Sequence, residues 1–301
     1  MTSTPLWQTF NHPFVKDLAF SLACPTVLNH WHNIDPYQIS PSITVHQIQF
    51  WQQQFYHYQP RLYELDTTTQ YQRLTRFLMS RPSPHRLGFH FEGLLHFWLV
   101  DGFEQGLHQL QLLAHNIQLY RDKQTVGELD FIIHNHQTGN IEHWELAVKF
   151  FLGSPPYDYA NWVGINSKDT LHRKMLHMQQ KPFHSVWVNV NLDGNEQKLR
   201  IDKRLAVIKG RFFVPNHTTS FKRPDWLSPS FPLHSWYDGH DKQQLAGLDF
   251  QQIRPAHYVE WFTKRDFYDD RTLKITMPKS DCSLANGLYF WQDKPLVIYT
   301  K

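Results

Sequence analysis

The chain has 301 residues, 41% of them hydrophobic, and a formal net charge of +3 at pH 7 with its 20 histidines neutral, which predicts a globular protein of one or two domains. Cys24 and Cys282 are its only cysteines, which excludes a disulfide framework and a cysteine-rich zinc module. No apolar stretch approaches the roughly 20 residues of a membrane span, and no signal-peptide pattern opens the chain, so a cytoplasmic location is expected.

The first 80 residues are predicted to form a helical N-terminal segment. Apolar residues recur at helical spacing between Pro13 and Pro25, and a second helix is predicted over residues 46–58. Pro82 and Pro84 then disfavour helix both at themselves and just before. A new region is therefore predicted to begin at about residue 81.

A regular succession of elements is predicted from this point. A helix begins at Leu87 and carries Glu92 beside the centre of its apolar stripe. Three extended segments follow, over residues 117–121, 127–134 and 141–151, and a turn over 136–140 joins the last two into an antiparallel hairpin. A helix over 168–180 and a strand over 185–192 complete the order helix, three strands, helix, strand. The remaining residues, 196–301, are predicted to be strand-rich, with a clear strand-forming segment at 288–299.

The hairpin carries the residues that suggest chemistry. Because side chains alternate across a strand, Asp130 lies on one face of the first strand, and Glu145 and Lys149 share a face of the second. If the apolar faces meet one core, the two carboxylates point to the same side and form an oxygen-rich site suited to Mg²⁺. A lysine beside them can stabilise the charge of a phosphodiester. The alternative is a solvated hairpin face with ordinary cross-strand charge pairs.

Gly127-Glu128-Leu129-Asp130-Phe131-Ile132-Ile133 and Trp144-Glu145-Leu146-Ala147-Val148-Lys149 resemble the active-site hairpin of the PD-(D/E)xK nuclease superfamily. The resemblance implies an α/β fold with a restriction-endonuclease-like core over residues 81–195, flanked by the helical segment 1–80 and the strand-rich region 196–301. Over most of its length the chain is also similar to bacterial proteins grouped as domain-of-unknown-function family 1853, a family without an assigned activity.

The superfamily resemblance implies a role for each site residue. Asp130 and Glu145 would bind Mg²⁺, with Mn²⁺ as a substitute, and Glu92 would assist through the metal or through water. Lys149 would stabilise the phosphate charge while metal-activated water hydrolyses the phosphodiester bond. Nucleic acid is then the expected partner, with DNA favoured over RNA.

One position departs from the superfamily pattern. The usual lysine position, two residues after Glu145, is occupied by Ala147, and Lys149 lies about 6.6 Å further along the strand at roughly 3.3 Å per residue. Lys149 could lean back, Lys168 or Lys174 from the following helix could replace it, or catalysis could be lost. The competing function is therefore an inactive nuclease-fold module that binds nucleic acid or a protein partner.

Overall fold

The computed structural model describes residues 5–35, 42–121, 124–165, 168–216, 221–249, 252–265, 285–291 and 294–300. The protein is a mixed α/β fold of helices and a large mixed sheet. The helices are α1 (Pro13–Ala23), α2 (Ile48–Thr67), α3 (Tyr71–Met79), α4 (Leu87–Glu104), α5 (Leu171–Gln180) and α6 (Lys242–Ala246). The strands are β1 (Ile43–Thr44), β2 (Leu110–Arg121), β3 (Gln124–Asn135), β4 (Asn140–Gly153), β5 (Trp162–Gly164), β6 (Trp187–Leu192), β7 (Asn195–Arg200), β8 (Lys203–Pro215), β9 (Leu233–Asp238), β10 (Ile253–Pro255), β11 (Gly287–Trp291) and β12 (Lys294–Tyr299).

The chain forms two compact units. The first comprises Met1–Val148, Lys174–Lys209 and Asp225–Phe231, and the second comprises Lys149–Arg173, Gly210–Pro224 and Pro232–Lys301. These units cut across the three consecutive regions predicted from the sequence, because helices α1, α2 and α3 belong to the same unit as the β3–β4 hairpin. The division into residues 1–80, 81–195 and 196–301 stays a prediction about order along the chain.

The helices of the first unit follow the apolar periodicity. Helix α1 confirms the predicted N-terminal helix, with Pro13 in its first turn, and buries Val15, Leu18 and Leu22 completely. Helix α2 covers the second predicted helix and extends it to residue 67, and α3 is a helix that the sequence pattern did not indicate. Among the described residues, no helix has the length and apolar content needed to cross a bilayer.

The sheet of the first unit has the strand order β8-β4-β3-β2. The predicted hairpin is confirmed, since β3 and β4 pair antiparallel from Asn135 opposite Asn140 to Phe131 opposite Trp144. Helix α4, strands β2 to β4, helix α5 and strand β6 also follow one another in the predicted order, with the short β5 inserted before α5.

One pairing in this unit differs from the prediction. The strand expected over 185–192 to complete the sheet is β6, and it pairs with β7 in a separate two-stranded sheet, whereas β8 lies beside β4. The cause is local: Asp193 and Gly194 both adopt positive φ angles, of 53° and 84°, and form a tight turn that returns the chain along β6. Val188 and Val190 of β6 instead pack against Leu129 and cover the sheet.

The second unit confirms a strand-rich C-terminal region. Its strand order is β10-β11-β12-β9-β8, and the segment 288–299, predicted to form strand, contains the antiparallel hairpin of β11 and β12. Tyr237, Leu248 and Ile298 lie in one buried cluster of this unit. Of the two cysteines, Cys24 is a buried free thiol, and Cys282 lies outside the described residues.

Candidate functional site

The site begins where the β3–β4 hairpin opens. In the described residues the ladder between these strands ends at Phe131 opposite Trp144, although β2 and β3 stay paired beyond this point, as far as Gln124 opposite Arg121. Asp130 is the first residue of β3 past the opening, and its Oδ2 accepts a hydrogen bond from the Leu146 backbone N–H at 2.6 Å. The Asp130 carboxylate thus replaces the missing ladder bond and is held against β4.

Glu145 lies on the other strand at the same opening and is buried, with 5% of its surface exposed. Ala147, two residues further along the same face, is 7% exposed, and Ile132 on the Asp130 face is fully buried. The alternative of a solvated hairpin face is therefore wrong. Glu145 is a desolvated carboxylate and Asp130 is half-buried beside it. A buried carboxylate costs folding energy and needs either a proton or a cation nearby.

The pKa values of Asp130 and Glu145 are both raised, so that ionisation of one carboxyl group disfavours ionisation of the other. Burial raises the pKa of Glu145 to about 7, against an opposing effect of Lys174. Burial also raises the pKa of Asp130 well above its ordinary value, the charge of Glu145 raises it further, and Lys174 and the Leu146 N–H oppose both effects. Such raised carboxyl pKa values are typical of sites that bind cations or transfer protons.

Glu92 and Glu128 complete the acidic group. Glu92, on α4, has its pKa raised to about 7, first by burial and then by the charge of Asp130, with smaller contributions from Glu128 and Glu145. The charges of Asp130 and Glu145 thus act on Glu92, so the three predicted carboxylates are electrostatically linked. Sequence reasoning assigned no role to Glu128, although its two-residue spacing from Asp130 was a usable signal.

The lysine beside this group is Lys174. Its ammonium Nζ lies 3.7 Å from Glu145 Oε1, and 19% of its side chain is exposed. Lys149, the lysine expected from strand position, instead forms an ion pair with Asp169. Lys168 has an exposed side chain. Of the alternatives that the sequence left open, Lys174 is the one that contacts a candidate carboxylate.

One carboxylate oxygen of Glu145 has no hydrogen-bond partner in the described part of the protein. Glu145 Oε2 is buried and has no hydrogen-bond partner among the described residues. The ring nitrogen Nε2 of the ionisable residue His143 lies 3.6 Å from it. Burial lowers the pKa of His143 to about 3, so this ring is neutral and supplies no counter-charge. In the described part of the chain no group of three or more His, Cys, Asp or Glu side chains is arranged to hold a metal. Two carboxylates completed by water suit Mg²⁺ rather than Zn²⁺.

The comparisons with known proteins bear on the family. No curated protein and no solved structure matches the chain. The family model described as "Domain of unknown function (DUF1853)" matches residues 16–278. This match covers most of the chain and includes every residue of the site, from Glu92 through Lys174. The protein therefore belongs to the DUF1853 family.

Proposed function

We propose that this protein is a metal-dependent nuclease of the PD-(D/E)xK type, with DNA as the favoured substrate and Lys174 in place of the usual strand lysine. The observation that carries the proposal is the pair of carboxylates, Asp130 and Glu145, at the opening of the hairpin, with the Lys174 ammonium 3.7 Å from Glu145. Two desolvated carboxylates with one adjacent cation form the residue set that metal-assisted phosphodiester hydrolysis uses.

A restriction-endonuclease-like core is part of this proposal. Helix α4, the β2-β3-β4 meander and helix α5 support it, and β8 supplies the neighbour of β4 that β6 was expected to provide. Asp130 and Glu145 occupy adjacent strands of this meander, which is where the sequence resemblance places them.

Asp130 and Glu145 would hold Mg²⁺ or Mn²⁺, because Glu145 Oε2 has no hydrogen-bond partner in the described part of the chain and Asp130 Oδ2 is positioned by the Leu146 N–H. When bound, the cation supplies water activation and neutralisation of phosphate charge. A third carboxylate ligand is not required, since Mg²⁺ in proteins commonly binds one or two carboxylates and keeps several water ligands.

The remaining steps belong to the side chains themselves. Glu92, with a pKa of about 7, is ionised in an appreciable fraction at neutral pH and is basic enough to accept a proton from an attacking water. Lys174 places a positive charge beside Glu145, where it stabilises the negative charge that develops on the phosphoryl oxygens. Lys149 has no catalytic part in this scheme, because its ammonium is paired with Asp169.

The test is cleavage of single- and double-stranded DNA and RNA in Mg²⁺ or Mn²⁺, with EDTA as the metal-free control. Wild type is compared with Asp130→Asn and Glu145→Gln, which keep side-chain size and remove charge. We expect metal-dependent cleavage by the wild type and its loss, by more than about a thousandfold, in both variants. DNA should be cut faster than RNA.

The lysine assignment has a matched pair of variants. Lys174→Met should lower the cleavage rate by about 100- to 1000-fold, as for removal of a transition-state charge partner, and Lys149→Met should stay within about threefold of wild type. A larger loss of cleavage rate in Lys149→Met than in Lys174→Met would assign the charge-stabilising role to Lys149. Absence of cleavage in all proteins, with nucleic-acid binding retained, would identify an inactive binding module instead.

A further inference from the structure

Arg81 occupies an unusual position in the first unit. Its Nη1 lies 2.7 Å from His96 Nδ1, and its Nε is buried without a hydrogen-bond partner among the described residues. No carboxylate of the described chain lies within ion-pair distance of its guanidinium, although the charge of Glu92 acts on it from further away. A partly buried guanidinium is usually matched by an acidic partner, and this one is not.

The neighbouring histidine does not neutralise Arg81. Burial lowers the pKa of His96 to about 3, with His115 and Arg81 lowering it further, so the ring is neutral. Because a guanidinium only donates hydrogen bonds, His96 Nδ1 must be the acceptor and its proton must lie on Nε2. The His96 and His115 rings are 4.3 Å apart, and His115 is exposed, so the cluster reaches solvent.

The surroundings hold the arginine in place beside the carboxylates. A Cβ on Gly93 would come within 3.0 Å of Arg81 Cδ, so the glycine leaves room for the arginine stem to lie across α4. Glu92 and His96 are one turn apart on that helix, and the charge of Arg81 lowers the pKa of Glu92. The unneutralised cation therefore acts on the carboxylate group through Glu92.

We propose that Arg81, supported by His96 and His115, is a phosphate-binding subsite that holds a backbone phosphate of the nucleic acid next to the cleaved one. This inference rests on the proposed function for the identity of the ligand. The forked N–H groups of a guanidinium match the geometry of two phosphate oxygens. A bound phosphate would supply the anionic partner that Arg81 does not have among the described residues.

The experiment measures binding without metal, so that it is separate from cleavage. A fluorescent 16-nucleotide single-stranded DNA is titrated in EDTA at several salt concentrations with wild type, Arg81→Met, Arg81→Lys and Arg76→Met. Arg76 is the matched control, because it is an exposed arginine on α3 that contacts Gln72. Inorganic phosphate serves as a competitor, to separate a backbone site from a site for the free anion.

We expect Arg81→Met to weaken binding on the order of tenfold and to reduce the slope of log affinity against log salt by about 0.7, the value for one phosphate contact to a single strand. Arg81→Lys should be intermediate, and Arg76→Met should differ from wild type by less than about twofold. Millimolar phosphate should compete only weakly, because a backbone site gains affinity from neighbouring contacts. A slope unchanged in Arg81→Met would overturn the inference, as would equal effects of Arg81→Met and Arg76→Met.

Thermal unfolding separates binding from a structural role. Arg81→Met should keep or raise the melting temperature, since it removes a partly buried, unpaired charge. A less stable Arg81→Met protein with wild-type affinity would show that the arginine only packs against α4. If wild type binds DNA through Arg81 but never cleaves it, the subsite stands and the proposed nuclease activity fails.

Discussion

Replacing Glu145 by glutamine is expected to make the protein more stable at pH 8, although it removes a residue of the proposed site. Glu145 is 5% exposed, and burial raises its pKa from 4.5 to about 7. The folded protein therefore holds this proton up to about pH 7, whereas the unfolded chain releases it near pH 4.5. Stability from this group is fully present below pH 4.5 and is lost as the pH rises through 7.

The magnitude follows from the same two values. The difference between 4.5 and about 7, at about 1.4 kcal/mol for each pH unit, corresponds to about 3 kcal/mol at pH 8. The pKa of about 7 already includes the opposing effect of the Lys174 ion pair, so this pair is not subtracted again. Glu145→Gln should thus gain about 3 kcal/mol at pH 8 and little or nothing at pH 4.5.

The assay is urea unfolding between pH 4.5 and 8.5 in EDTA, with Glu196→Gln as the control because Glu196 is an exposed glutamate of β7. The control should follow the wild-type profile throughout. Parallel profiles for wild type and Glu145→Gln would refute the argument, since they would mean that Glu145 titrates alike in both states. Mg²⁺ at pH 8 should stabilise wild type and not Glu145→Gln, because a cation that binds only the folded state raises its stability.

Three predictions concern the framework around the site and are measured by chemical or thermal unfolding. Gly210→Ala should destabilise the folded protein by at least about 3 kcal/mol, because φ at this residue is +131° and an added Cβ would lie 1.8 Å from a backbone carbonyl oxygen. The control Gly247→Ala has no such close approach and should leave the stability nearly unchanged. Arg61→Met should cost about 3–5 kcal/mol by leaving the buried Asp101 carboxylate, 2.9 Å from the guanidinium, short of its partner; a loss below 1 kcal/mol would contradict this. Lys209→Met should remove a rise in wild-type stability above pH 7, since burial lowers the pKa of this lysine to about 7 and the folded protein sheds the proton before the unfolded chain does. A wild-type profile flat above pH 7 would exclude that effect.

The hairpin could be predicted because its signals are local. The turn residues between β3 and β4 set a register from Asn135 opposite Asn140, and alternation then places Asp130 and Glu145 at the same level of adjacent strands. Burial of Glu145 was not predictable from this pattern. The same alternation fits a solvated face, and only the packing around Glu145 distinguishes the two.

The partners of the charged residues depend on contacts far apart in sequence. Lys149 has the right strand parity, but its ammonium pairs with Asp169, whereas Lys174 reaches Glu145 from a helix 29 residues later in the chain. The position of Arg81 was likewise not predictable, since nothing local indicates that it lies across Gly93 on α4.

The sequence by itself determined the family, the order of the main helices and strands, and the two carboxylates of the hairpin. Each of these depends on periodicity, turn chemistry or a continuous motif, which act over a few residues. Only the tertiary structure decided that β8, not β6, lies beside β4, that Glu145 is buried, and that Lys174 adjoins it. The physical reason is that strand pairing, desolvation and ion-pair choice are set by competition among distant segments for the same neighbours, and a local pattern does not contain the outcome.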